Sequence, residues 1–285
     1  MRAADGTRLA VQTIGDGPAL VLANGLGGSI TAWHHLIRRF APRFRIVSWD
    51  YRGLYGSDPP TDLEALGIEQ HREDLRTVMD AVGVDSAILA GWSMGVQVIL
   101  DFTLRHPERA RALIAINGSP GNTFRTAFDT TASEWLIPVL ALLIQLNARQ
   151  AGAAFRWVTS LEFAPALLKR VGLVGPTVDL DLLRTLAAEF AGLDLDVYMR
   201  TMRKLGSHST WPRLGEIGVP TLVVGGTRDV MTPAHVAEAT AAAIPGAELL
   251  LLEGGTHYTP LEFPDAINAR IERFVAERLA CRKEA

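Results

Sequence analysis

The sequence predicts a doubly wound α/β fold built on a mostly parallel sheet, with a helical insertion in the middle of the chain. Short apolar runs alternate with segments of helical periodicity towards both ends, which is typical of parallel strands joined by helices. Between residues 121 and 211 only helical patterns occur. The turn Gly91-Trp92-Ser93-Met94-Gly95 joins an apolar run directly to a helical segment, as expected at the carboxyl edge of such a sheet.

Composition limits the possible classes of protein. The chain has 285 residues, 48% of them hydrophobic and 21% charged, with a formal net charge of −3. This length suffices for one large domain or for a core with an inserted subdomain, and the charge balance argues against a nucleic-acid partner. The single Cys281 excludes an internal disulfide and a cysteine metal site, and no two histidines have metal-ligand spacing. Because residues 1–6 lack the apolar core of a secretion signal, we expect a cytoplasmic protein.

The elements outside the insertion follow in order. Turn signals at 5–6 and 15–18 predict an opening hairpin with strands over 7–14 and 19–23. Further strands are predicted over 44–49, 86–90 and 112–116, and helices over 32–40, 69–82 and 94–104. The alternation resumes with strand 219–224, helix 233–243, strand 248–252 and helix 265–279. We therefore divide the chain into a first core part, 1–120, a helical cap, 121–211, and a second core part, 212–285.

The cap is predicted to be wholly helical. Its helices are expected over 134–146, 152–160, 164–171, 180–191 and 197–205. The first of them is apolar on nearly all sides, but it is too short to span a bilayer and contains Pro138. We therefore predict a buried cap helix that turns part of its apolar surface towards a pocket, and no stable membrane insertion.

Residues 91–95 have the G-x-S-x-G pattern of a nucleophile elbow. The tight turn forces Ser93 into a strained conformation above the sheet, and the flanking glycines leave room for the strand and helix packed around it. The N–H of Met94, in the first turn of the next helix, lacks an intrahelical acceptor and is available to an oxyanion. A glycine-rich loop at 24–29 follows another strand, and it fits a loop of N–H donors better than a phosphate or dinucleotide loop.

A serine nucleophile needs a base, and the base needs an acceptor that fixes its tautomer. Asp229 and His257 both lie in loops after late strands, and His257 is the one histidine in a glycine-flanked loop of this kind. The other six histidines are expected at the surface or in capping positions. Glu253 is an alternative acid close to His257, whereas Asn117, after an earlier strand, cannot supply a carboxylate's charge.

The chain order Ser93, Asp229, His257, with the glycine-rich loop and the helical insertion, resembles the α/β-hydrolase fold family in its lidded esterase and lactonase-like branch. Residues 50–53 (DYRG) with 56–58 (GSD) are similar to the family's D-x-R-G-x-G-x-S loop, and residues 106–113 (HPERARAL) are similar to its H/Y-P-E-R-V-x-x-L segment. The resemblance implies an eight-stranded, mostly parallel sheet with the cap after the sixth strand. It also implies an oxyanion hole formed by the N–H groups of Leu26 and Met94, and no cofactor.

Two departures from the family pattern fall near the expected site. Asn24 stands where the family usually has the histidine of a His-Gly pair. Tyr55 stands where a glycine is usual, and Gly56 follows one position later. We predict that Asn24 and Tyr55 bind the substrate, together with Trp92 beside the nucleophile and Leu140 in the apolar cap helix.

These residues predict a serine hydrolase that cleaves a carboxylic ester or lactone of a small-to-medium lipophilic substrate through an acyl-enzyme. A cofactor-free perhydrolase or a carbon–carbon bond hydrolase would use the same three residues, and a non-enzymatic ligand receptor on this fold is a third alternative. Ser93 argues against the haloalkane dehalogenase and epoxide hydrolase branches, which have a carboxylate at this position. The expected partner is the small ester or lactone itself, with a homodimer as an open alternative.

Overall fold

A seven-stranded sheet runs through the centre of the molecule. The structure is a computed structural model that describes residues 1–159, 161, 164–170, 172 and 174–280. Its strands are β1 (Val11–Ile14), β2 (Ala19–Ala23), β3 (Arg45–Trp49), β4 (Ala87–Trp92), β5 (Ala110–Ile116), β6 (Thr221–Gly226) and β7 (Glu248–Leu252). They lie in the order β1-β3-β2-β4-β5-β6-β7, and all neighbours are parallel except β1 and β3. The predicted α/β fold with a mostly parallel sheet is confirmed.

Two details of the predicted sheet are wrong. β1 forms no hairpin with β2 but pairs antiparallel with β3, with Val11 opposite Trp49. β2 is apolar on both faces and lies between two parallel neighbours, as such strands usually do. The described part of the chain holds seven strands rather than eight, because the residues before Val11 contribute an isolated bridge between Arg2 and Arg8 instead of a strand. The helical insertion accordingly follows the fifth strand.

Eleven α-helices occur in the described part of the chain. They are α1 (His34–Phe40), α2 (Ile68–Ala81), α3 (Met94–Arg105), α4 (Ser133–Leu146), α5 (Ala148–Thr159), α6 (Ala164–Arg170), α7 (Leu180–Ala191), α8 (Leu195–Leu205), α9 (Ala234–Ala243), α10 (Thr259–Glu262) and α11 (Pro264–Ala280). Each predicted helix corresponds to one of these, and the short α10 was not predicted. The predicted helix ends at Ser160 and Val171 lie outside the described residues.

The two faces of the sheet bury separate apolar clusters. Along β2, Leu20 and Leu22 belong to one cluster while Val21 and Ala23 belong to the other, because successive side chains of a strand point to opposite faces. Helices α1 and α11 cover the first face, and α2 and α3 cover the second. Burial on both faces explains why the central strands are apolar throughout.

Helices α4 to α8 form the insertion between β5 and β6, and its described residues include no strand. The exact domain boundaries of the cap, at 120/121 and 211/212, stay predictions. The expectation that the first cap helix is buried is wrong, because only Ser133 and Ala141 of α4 are buried. α8 packs against one side of α4, and most of the opposite side faces solvent.

None of the described helices is, by itself, both long and apolar enough to cross a membrane. The segments Thr123–Asp129 and Ser133–Leu146 reach the necessary length and hydropathy only as a pair, with a bend of 107° at the break between them.

Cys281, from which the absence of a disulfide was inferred, lies outside the described residues.

The carboxyl ends of the parallel strands bring the predicted site residues to one edge of the sheet. β2 leads into the glycine-rich loop 24–29, β4 leads into Ser93, and β6 and β7 lead into the loops of Asp229 and His257. Because neighbouring parallel strands end at the same edge, residues far apart in the chain meet there. Ser93 and His257 are 164 positions apart, yet their side chains are in contact.

Candidate active site

The turn between β4 and α3 holds Ser93 in a backbone conformation that side chains rarely adopt. Its φ is 55° and its ψ is −117°, and strain of this kind is typical of functional sites. A Cβ on Gly95 would lie 2.0 Å from the carbonyl oxygen of Ala23, and one on Gly91 would lie 2.5 Å from the backbone of Gly95. Both positions therefore require glycine, and the turn exposes Ser93 to the adjacent pocket.

Ser93, His257 and Asp229 form a continuous chain of hydrogen-bonding contacts. Oγ of Ser93 lies 2.9 Å from Nε2 of His257, and Nδ1 of His257 lies 2.9 Å from Oδ2 of Asp229. Since an ionised carboxylate only accepts hydrogen bonds, Nδ1 carries the proton and Nε2 is left to accept from the serine. This is the arrangement that activation of a serine by a histidine requires.

Five donors surround the carboxylate of Asp229. Oδ1 accepts hydrogen bonds from the N–H groups of Met231 (2.8 Å) and Thr232 (2.9 Å). Oδ2 accepts from the hydroxyl of Thr232 (2.7 Å), the amide of Asn117 (2.8 Å) and His257. Burial alone raises the pKa of the Asp229 carboxyl, but the charge of His257 and the hydrogen bonds from His257 and Thr232 outweigh it, so the pKa lies below its usual value. The carboxylate is therefore ionised at neutral pH and fixed in orientation.

Asn117 supports the hydrogen-bonded row of Ser93, His257 and Asp229, a role that the sequence analysis does not predict. It follows β5 directly, has a φ of 45°, and also donates from its amide to the carbonyl of Thr256 at 3.2 Å. It thereby joins the loop of His257 to Asp229. The sequence feature that could have indicated this role is an asparagine at the carboxyl end of a parallel strand, because asparagine tolerates positive φ better than most residues. Glu253, the alternative acid, is exposed.

Two other histidines are buried, contrary to the expectation of surface or capping positions. His71 is fully buried with its ring centroid 4.6 Å from that of Tyr51, and burial together with the charge of Arg52 lowers its pKa to about 3. Nδ1 of His208 lies 2.9 Å from Oε1 of Gln97. Among the residues that the structure describes, no cluster of three or more His, Cys, Asp or Glu side chains could hold a metal ion.

Of the two residues predicted to supply oxyanion donors, Met94 directly follows Ser93 and Leu26 lines the same pocket as Ser93. Met94 is the first residue of α3, so its N–H has no intrahelical acceptor, while its side chain is buried in the core. Leu26 and Gly25 line the same pocket as Ser93. A Cβ on Gly25 would lie 3.0 Å from the ring of Trp92 and 3.3 Å from the Cβ of Ser93, so the glycine-rich loop lies directly against the nucleophile.

Asn24 and Tyr55 support the glycine-rich loop instead of lining the pocket. The Asn24 amide donates to the carbonyl of Trp49, and its oxygen accepts from Nε1 of Trp33, both at 2.9 Å. Tyr55, with a φ of 50°, donates its hydroxyl to the carbonyl of Gly27. Both side chains are satisfied by protein groups, and neither belongs to the pocket wall. The prediction that these two residues bind the substrate is corrected accordingly.

The cap holds the other side of the loop. Glu189 of α7 accepts hydrogen bonds from the hydroxyls of Ser29 (2.5 Å) and Thr31 (2.8 Å). Gly27 has a φ of 73°, and a Cβ there would lie 2.6 Å from the ring of Phe190. The core and the cap therefore fix the loop between them. No local pattern indicates this role for Glu189, because its partners lie about 160 positions earlier in the chain.

A pocket of about 1040 Å³ lies between the core and the cap, with Ser93 and His257 on its wall. The cap contributes an apolar lining that includes Ile137, Phe155, Leu183, Leu186, Phe190 and Met202. Trp92 lines the pocket too, and its Nε1 donates to the carbonyl of His257 at 3.0 Å. Leu140 does not belong to the pocket wall, because it lies on the outer side of α4 and is 47% exposed.

The alpha/beta hydrolase fold family model matches residues 18–264, which is most of the chain. This protein therefore belongs to the alpha/beta hydrolase fold family, whose members are hydrolases. The resemblance inferred from the motifs is confirmed. Among curated proteins, a putative carbamate hydrolase, RutD, of Rhizobium rhizogenes is 30% identical over 268 residues, which cover 92% of this chain and 94% of that protein.

Solved structures show the same fold. A hydrolase from Pseudomonas aeruginosa PA01 superposes with a TM-score of 0.77 at 25% identity, over 96% of this chain and 97% of that one. An enol-lactonase from Burkholderia xenovorans LB400 superposes with a TM-score of 0.77 at 22% identity, over 95% of this chain and 97% of that one. Because the enol-lactonase is only 22% identical to this chain, its similarity shows a common fold and nothing more.

Proposed function

We propose that this protein is a serine hydrolase that cleaves a carboxylic ester or lactone with a lipophilic acyl group. The observation that carries the proposal is the pair of 2.9 Å contacts that link Ser93 through His257 to Asp229, beside a large pocket. The pocket's mostly apolar lining favours lipophilic substrates. Membership of a hydrolase family supports the reaction class.

In the proposed reaction, Nε2 of His257 takes the proton of Ser93 while Oγ attacks the carbonyl carbon. The N–H groups of Leu26 and Met94 hold the negative charge that forms on the carbonyl oxygen. His257 then gives its proton to the leaving alcohol, and an acyl ester of Ser93 remains. A water molecule that His257 deprotonates attacks this ester, which releases the acid and restores the serine. Ionised Asp229 stabilises the imidazolium in both halves of the reaction.

The acyl chain is expected against the inward cap residues rather than against the outer face of α4. Leu183, Leu186 and Met202 supply apolar surface in the pocket. Each methylene buried there contributes up to about 0.8 kcal/mol, which corresponds to about fourfold in kcat/KM. We expect kcat/KM to rise from p-nitrophenyl acetate through butyrate and hexanoate, and to level off when the pocket is full. A flat or falling series would contradict a lipophilic acyl site, and Ser93→Ala is the control for enzyme-independent hydrolysis.

The same assay separates the other reaction classes. The carbamate hydrolase named among the relatives makes an aryl carbamate of equal acyl length the first competitor to include. We expect the ester to be the better substrate, because the apolar cap lining offers few partners for the carbamate N–H. Faster turnover of the carbamate would move the assignment to that class. Hydrogen peroxide as acyl acceptor and a dienol ketone as substrate distinguish the perhydrolase and carbon–carbon hydrolase alternatives.

A further inference from the structure

The outer side of α4 presents a continuous apolar surface, which we call the α4 face. Its seven large apolar side chains are between 39% and 71% exposed: Trp135, Leu136, Val139, Leu140, Leu142, Leu143 and Leu146. At the turn angle of an α-helix, these positions fall within an arc of about 160°. The buried Ala141 lies on the opposite side, where α4 packs against α8.

The size of the α4 face is that of an interface. The seven exposed fractions amount to between three and four whole side chains, or roughly 600 to 700 Å² of apolar surface. The largest apolar patch on a typical monomer measures about 300 to 600 Å² and is often functional. A stable protein interface buries about 800 Å² on each partner. The α4 face alone supplies most of one partner's share.

The lack of basic residues within α4 favours a second copy of this chain over an anionic lipid surface, and Arg125 and Arg203 beside the helix already contact Glu134 and Gln145 of α4. α4 carries a single charged residue, Glu134 in its first turn, which lies 3.4 Å from Arg125. Helices that lie on membranes carry Lys and Arg beside their apolar face, and α4 contains neither. The centres of homodimer interfaces, in contrast, are apolar and depleted in charge. A two-fold axis through the face would let one surface supply both halves.

We infer that this protein forms a homodimer in which the α4 faces of the two protomers pack against each other. α4 also reaches the pocket through Ile137. The dimer therefore covers the outer side of a helix whose inner side is part of the pocket wall. The dimer explains why Leu140 is apolar although it lies on the outer side of α4, away from the pocket.

The test is the oligomeric state of the whole chain, measured by light scattering after gel filtration and by sedimentation equilibrium. We expect the wild type to be a dimer at micromolar concentration. Leu143→Glu places an unpaired carboxylate in the middle of the face and should weaken the dimer about 100-fold or more. Because Leu143 is 52% exposed in the single protomer, the fold should survive, which circular dichroism checks. Leu140→Ser is a milder second variant with the same expected direction.

The matched control is Leu249→Glu, which introduces the same charge at a 38% exposed leucine of β7. It should leave the dimer intact. A monomeric wild type would overturn the inference, and so would a dimer that survives Leu143→Glu or that Leu249→Glu breaks equally well. Flotation with phosphatidylcholine and phosphatidylglycerol vesicles provides the remaining arm. A monomer that floats with the vesicles, and loses this with Leu143→Glu, would make a lipid surface the occupant of the α4 face.

Discussion

The Asp229→Asn substitution tests the proposed reaction at a residue that does not line the substrate pocket. Two backbone N–H groups, from Met231 and Thr232, point at Oδ1. The amide oxygen of an asparagine must occupy that position, so its NH₂ group takes the place of Oδ2 and faces Nδ1 of His257. A donor there favours the histidine tautomer with its proton on Nε2. In that tautomer, Nε2 has no lone pair for the proton of Ser93.

We expect kcat of Asp229→Asn to fall by about 10⁴, equivalent to about 5.4 kcal/mol, as other triads do when the same change traps the wrong tautomer. KM should change little, because Asp229 is 3% exposed and lies outside the pocket wall. The free energy of unfolding should fall by about 1 to 3 kcal/mol, because the amide of Asn117 loses a buried acceptor.

The assay is the hydrolysis of p-nitrophenyl butyrate, with kcat and KM determined separately and thermal unfolding recorded for each variant. Glu253→Gln is the matched control, since it neutralises an exposed acid close to His257 in the chain. It should retain wild-type kinetics. Near-normal turnover by Asp229→Asn would refute the proposed role of Asp229, and a large loss in Glu253→Gln at the same time would transfer that role to Glu253.

Two further predictions use the residues beneath the site. Tyr55→Phe removes the hydroxyl that supports Gly27 in the glycine-rich loop, so kcat on the same ester should fall about tenfold with KM unchanged; a rise in KM alone would instead place Tyr55 at the substrate. Burial and the charge of Arg52 lower the pKa of His71 to about 3 in the folded protein, from an ordinary value of 6.5, so between these values the unfolded chain binds one proton more. The contribution of His71 to the free energy of unfolding should therefore be greatest above pH 6.5. Below that pH, it should fall by up to about 1.4 kcal/mol for each pH unit. Denaturant titrations across this range should give a shallower slope for His71→Leu, and an identical slope would contradict a neutral, buried His71.

Local patterns were sufficient to predict the α/β fold and the three residues that the structure brings together. A strand buried on both faces has to be apolar throughout, and a strand that turns straight into a helix needs glycines at Gly91 and Gly95. Parallel strands end at one edge, so the loops after different strands are expected to meet, and the sequence alone therefore predicts that Ser93 lies near Asp229 and His257, as the structure has them. These inferences need only local residue patterns and the rule that neighbouring parallel strands end at the same edge of a sheet.

Contacts between distant segments could not be predicted in this way. The apolar periodicity of α4 shows that its surface avoids water, but the pattern is the same whether a core, a pocket or another protomer covers it. Asn24 and Tyr55 differ from the family pattern, but the pattern does not show that their side chains bind the backbone of Trp49 and Gly27. Those contacts depend on how separate loops pack together. Asn117 and Glu189 hold the site through hydrogen bonds to residues more than 100 positions away. Such pairings arise from the packing of the cap and core against each other, which residue spacing along the chain does not encode.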